Sequence, residues 1–143
     1  MHVFVTRRRA RFGSTGHNPC RNWSHADKAP SWEIHLAKSS PGQFNELNVA
    51  TAPGELKFRA VFAHSYCNYD ENLFAPRVDV HGNIIRISLL RPPEGTPICR
   101  CIFTTAVDGR VWRLKSGEYT IEMGWRSENG QFRKVKAVTV HVP

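Results

Sequence analysis

The chain has 143 residues, which suits one ordinary domain and leaves no room for a second core of similar size. With 41% hydrophobic and 22% charged residues it can collapse, which excludes wholesale disorder, and no run approaches the ~18 apolar residues of a membrane span. The formal charge of +8 is unevenly spread: residues 1–21 hold Arg7, Arg8, Arg9, Arg11 and Arg21 with no acid, while the rest of the chain holds 15 bases against 12 acids.

Residues 1–30 mix Gly13, Gly16, Pro19 and Pro30 with Arg, Ser, Asn and His, and sustain a period of neither two nor 3.6. They are expected to form a basic, poorly ordered N-terminal arm. Through Arg7, Arg8, Arg9 and Arg11 such an arm could neutralise nucleic-acid phosphates or attract anionic lipid heads, and it equally suits a solvated start. A signal peptide would place an apolar stretch of ~7–15 residues after its basic start, and residues 1–9 have the opposite order.

Residues 31–143 read as one all-β domain, because short extended runs alternate with turn residues and no window sustains an amphipathic helix. Residues 32–37 alternate weakly, Ser40-Pro41-Gly42 turns the chain, and a loosely ordered stretch 44–52 ends at Pro53-Gly54. The strand at 55–64 is stronger: Leu56, Phe58, Ala60 and Phe62 share one face, with Lys57 and Arg59 on the other. Residues 77–81 and 84–90 flank Gly82-Asn83, a pair suited to a tight hairpin, and Ile85, Ile87 and Leu89 form the inner face. Pro92 and Pro93 then stop the pairing. Residues 99–107 run into Asp108-Gly109, read as a second hairpin returning through 110–114. Ser116-Gly117 turns the chain again, Tyr119, Ile121, Met123 and Trp125 make a clean apolar face, and Glu128-Asn129-Gly130 leads into a last strand at 132–142. About seven or eight strands of this length fit an immunoglobulin-like antiparallel β-sandwich.

No GxSxG, GxxxxGK[ST], HExxH, GxGxxG or zinc-finger CxxC spacing occurs, so no catalytic constellation and no cofactor are expected. The loop His64-Ser65-Tyr66-Cys67-Asn68-Tyr69-Asp70-Glu71-Asn72 has the composition of a recognition surface, and Tyr66, Tyr69, Asp70 and Asn72 are the candidate binding residues. They would contact a protein partner, or the tyrosines would pack down beside a tethered Cys67. Among seven histidines, His35, His64 and His141 could converge from separate strands on a metal, although a strand-end histidine also serves as an ordinary hydrogen-bonding group. Aromatic-arginine pairs such as Trp125-Arg126 and Phe132-Arg133 would form a stacking platform for single strands, or would follow from alternation alone. The cysteines are Cys20, Cys67, Cys99 and Cys101, and we expect Cys67 to bridge to Cys99 or Cys101, which implies an oxidising compartment.

Leu114-Lys115-Ser116-Gly117-Glu118-Tyr119-Thr120-Ile121 resembles the LxxGxYxV pattern of bacterial extracytoplasmic immunoglobulin-like domains. Residues 36–42, 52–56 and 125–130 look like the opening and closing strands of periplasmic copper-resistance (CopC-like) domains. That resemblance implies a periplasmic copper carrier, but the family's aspartate-glycine-histidine turn is replaced here by Glu128-Asn129-Gly130-Gln131, so its copper site does not carry over. Residues 56–125 also resemble exported bacterial proteins with one cysteine before a GNxI hairpin and another before LxxGxY, which implies the bridge and a periplasmic or extracellular home. The reading that follows is a non-catalytic binding module acting through the loops at 66–72 and 91–98. The alternatives are a copper-type carrier and a nucleic-acid binder using the arm.

Overall fold

The computed structural model describes residues 4–9 and 29–143. Nine strands are formed among them: β1 (Phe4–Arg9), β2 (Ser31–Pro41), β3 (Glu46–Ala52), β4 (Glu55–Tyr66), β5 (Arg77–His81), β6 (Ile84–Leu90), β7 (Ile98–Trp112), β8 (Gly117–Arg126) and β9 (Phe132–Val142). A single 3-10 turn, Glu71–Phe74, lies between β4 and β5. Among the described residues no helix is long and apolar enough to cross a membrane.

The strands make two sheets, ordered β1-β2-β7-β4-β3 and β5-β6-β8-β9. The expected inner faces meet between them. Leu56, Phe58, Ala60 and Phe62 of β4, with Trp32, Ile34 and Leu36 of β2, pack against Ile85, Ile87 and Leu89 of β6 and Tyr119, Ile121 and Met123 of β8. Alternation makes this possible, since successive Cβ atoms point to opposite faces and every second residue enters the core. The Tyr119 ring is buried and its hydroxyl donates to the Lys115 carbonyl at 2.8 Å, which pins the chain where it enters β8. Gly82, at φ +60°, turns the β5–β6 hairpin as expected, and Pro53-Gly54 turns β3 onto β4.

Three features differ from the sequence reading. Asp108-Gly109 is not a hairpin: β7 runs unbroken from Ile98 to Trp112 as the central strand of its sheet. There Asp108 stands opposite His35 on one side and Arg59 on the other, and the Arg59 guanidinium donates to its carboxylate at 3.0 Å. Gly109 is required by packing, because a Cβ at that position would collide with the Phe58 ring and the Glu33 carbonyl. Ladders on both sides outweigh a local turn preference that a free strand end would express.

The arm expected over 1–30 contains β1, which pairs antiparallel with β2 from Phe4 opposite Leu36 to Arg9 opposite Ser31. Backbone pairing to an open edge needs no apolar alternation, so periodicity in the sequence does not mark this strand. Arg11, Cys20 and the rest of that segment lie outside the described residues. Finally, β6 and β8 pair parallel, Ile84 opposite Thr120 through Leu90 opposite Arg126, so the second sheet is mixed rather than antiparallel. Between them the chain crosses to the other sheet as β7 and returns in the original direction, the crossover that parallel neighbours require.

Candidate functional site

One end of the molecule gathers the end of β4, the start of β7, the end of β8 and the start of β9. The β4–β7 ladder is irregular there. His64 pairs with Phe103 and Tyr66 with Ile98, so Ser65 alone stands opposite Cys99, Arg100, Cys101 and Ile102. The extra residues make a bulge in β7, within which Ile102 is 45% exposed, and Ile98 at the start of the strand is 69% exposed.

The loop after β6 is tied to this end by the Arg91 N–H, which donates to the Arg126 carbonyl at 2.8 Å. The β8–β9 turn closes through Ser127 N–H to the Gln131 carbonyl at 2.8 Å, with Gly130 at φ +89°. Arg126 is buried and donates to the Ser88 carbonyl and hydroxyl, each at 3.0 Å, and to the Ala75 carbonyl. It thereby staples β8, β6 and the segment after the 3-10 turn into one wall.

A cleft of about 730 Å³ opens between these segments, with His64, Tyr66, Ile98, Trp125 and Phe132 supplying ring and apolar surface, and Arg91, Arg126 and Arg133 the charge. Tyr66, Arg91 and Ile98 also line an outer groove of about 850 Å³ that is bounded by Glu94 and Glu128. Behind Tyr66 a smaller hollow of about 280 Å³ is lined by Cys67, Tyr69, Phe74 and Phe103. The floor is an aromatic cluster: Trp125 meets Phe62 and Phe74 edge to face at 5.6 Å each and Tyr66 at 6.3 Å.

Of the candidate binding residues, Tyr66 lines the cleft and Tyr69 lies 6.1 Å behind it. The Tyr69 phenol is held above its usual pKa by burial and then by the Asp70 charge. Asp70 and Asn72 hold the loop instead: the Asp70 carboxylate accepts the Asn72 N–H at 3.0 Å, capping the 3-10 turn, and the Asn72 carbonyl accepts the Ala75 N–H.

The three histidines do not come together. His35 on β2 contacts Glu33 at 3.2 Å, His141 is exposed on β9 opposite Glu118, and His64 is buried against Thr105. Among the described residues no three His, Cys, Asp or Glu side chains are grouped for a metal ion.

The expected disulfide is not formed: Cys67, Cys99 and Cys101 are free thiols. The fold nevertheless brings Cys67 beside Cys99. Their hydrogen bond, then burial, raises the Cys67 thiol above its ordinary pKa, and the Cys99 thiol also donates to the Ser65 carbonyl at 3.7 Å.

Arg91 opens the 91–98 loop that the sequence already marks for binding, whereas Trp125, Phe132 and Arg133 read there only as a stacking platform or as plain alternation and are not among the candidate binding residues. A signal was available, because a tight turn at Glu128-Asn129-Gly130 places two aromatic-arginine pairs across from each other. In the ladder Trp125 stands opposite Arg133 and Arg126 opposite Phe132. Comparison with protein-family models, curated proteins and solved structures finds no match for this chain.

Proposed function

We propose that this protein is a non-catalytic binding module, built on an immunoglobulin-like sandwich, that takes its ligand in the cleft at the Tyr66–Ile98 end. The observation that carries the reading is convergence: Tyr66 at the end of β4, Arg91 in the loop just after β6 and Ile98 at the start of β7 share the walls of one cleft. Loops held on a rigid pair of sheets are suited to recognition, since the strands fix their positions while their side chains are free to vary. The Tyr119 hydroxyl bonded to the backbone four residues upstream supports the immunoglobulin-like description.

The alternatives draw less support. His35, His64 and His141 are not grouped, which weakens the copper-carrier reading. Arg7, Arg8 and Arg9 pair with Glu33, Trp32 and Ser31, which stand opposite Arg110, Val111 and Trp112, at the end of β7 away from the cleft. A nucleic-acid surface on that arm would therefore be a separate site.

The test is an amide chemical-shift titration of the whole protein with a library of small aromatic fragments. Bound fragments are expected to move the amides of Tyr66, Ile98, Trp125 and Arg133 together. Shifts scattered over both sheets, or confined to the far end, would overturn the reading.

A further inference from the structure

We infer that the cleft selects a small organic anion, a carboxylate or phosphate head on an aromatic or aliphatic body, a conclusion that rests on the binding reading above. Its inner part is lined by Arg91, Arg126 and Arg133 and by no Asp or Glu. Among the described residues no carboxylate pairs with Arg91 or Arg133, and both are exposed. Four other arginines on the sheets have carboxylate partners: Arg59 with Asp108, Arg77 with Asp79, Arg86 with Glu122 and Arg110 with Glu55. The cleft thus brings the Arg91 and Arg133 guanidinium groups together beside apolar walls, and like charges lining a cleft with such walls focus the field there.

Guanidinium groups offer paired donors that match carboxylate and phosphate oxygens. Trp125, Phe132, Tyr66 and Ile98 provide the surface for an apolar body, and about 730 Å³ lies within the range of roughly 300–1,000 Å³ usual for small-ligand pockets.

Two observations favour a small molecule over a nucleic-acid strand. Trp125 and Tyr66 are packed edge to face with each other, and Trp125 likewise with Phe62 and Phe74, so they present no row of open faces for successive bases. The outer groove that a polymer would follow carries Glu94 and Glu128, which repel further phosphates.

The experiment compares 2-naphthoate, 2-naphthylmethanol and 2-naphthylmethylammonium by the same amide titration at low salt. The naphthoate is expected to bind at least tenfold more tightly than the alcohol and the ammonium compound most weakly. In the Arg91→Gln, Arg133→Gln double variant, both changes being at exposed positions, the naphthoate-to-alcohol ratio should fall towards one. Equal binding of all three probes overturns the anion selectivity and leaves the cleft as a binding site. Failure of all three overturns both. An oligothymidylate that displaces naphthoate from the cleft overturns the small-anion assignment in favour of a nucleic-acid strand.

Discussion

The backbone N–H of Tyr66 donates to Nδ1 of His64 at 3.2 Å, so the buried imidazole is neutral with its remaining proton on Nε2, where it donates to the Thr105 hydroxyl at 2.9 Å. Protonating Nδ1 would break the bond that positions the backbone of Tyr66 on the cleft wall. The site and the stability of its β4 wall are therefore linked through one ring.

Burial lowers the His64 pKa below 6.5, against a smaller opposing pull from Glu71. The unfolded chain then binds the extra proton more readily than the folded one. Its contribution to stability is full above pH 6.5 and is lost as pH falls below it towards the folded value. We expect the His64 ring protons to titrate with a midpoint below 6.5 by NMR. A midpoint at or above that value would contradict the buried neutral ring.

Gly109→Ala should destabilise the protein by about 1–3 kcal/mol, the usual cost of overpacking, because the new methyl meets Phe58 and the Glu33 carbonyl. Asp108→Ala next to it removes only an exposed ion pair and should cost roughly 0–1 kcal/mol. Chemical denaturation measures both. Adding Phe58→Leu should restore part of the Gly109→Ala loss, and no restoration would argue against a continuous β7.

Arg126→Leu should cost about 2–4 kcal/mol, since it strips donors from the buried Ser88 carbonyl and from the Ala75 carbonyl. Arg126→Lys keeps the charge, but a single ammonium cannot reproduce the guanidinium fork that reaches both β6 and the segment after the 3-10 turn, so it should recover less than half of that loss. Full recovery by lysine would mean that charge, not the fork, is what the wall requires.

Iodoacetamide applied to unreduced native protein should modify all three described cysteines, with exposed Cys101 fastest. Cys67 should lag, because the hydrogen bond with Cys99 raises its thiol pKa and reduces the thiolate fraction. Cys99→Ala should speed Cys67 labelling. Peptide mapping that finds Cys67 and Cys99 joined and unlabelled would reinstate the bridge.

Local chemistry was enough to read the inner faces of β4, β6 and β8, the Gly82-Asn83 hairpin, the proline loop and the Tyr119 entrance. Each of these depends on alternation along one strand or on the backbone freedom of one or two residues, and those signals are carried by neighbours in sequence. Tertiary structure alone decided that Asp108-Gly109 continues through β7, because two flanking ladders and the Phe58 ring compete with the turn. It likewise decided that β1 finds the edge of β2 and that β8 lies parallel to β6. The cleft follows from the same strand order: Tyr66, Arg91 and the hairpin that carries Trp125 and Arg133 are far apart in the chain, and only the pairing of β4 with β7 and β6 with β8, with the two sheets packed together, delivers them to one place.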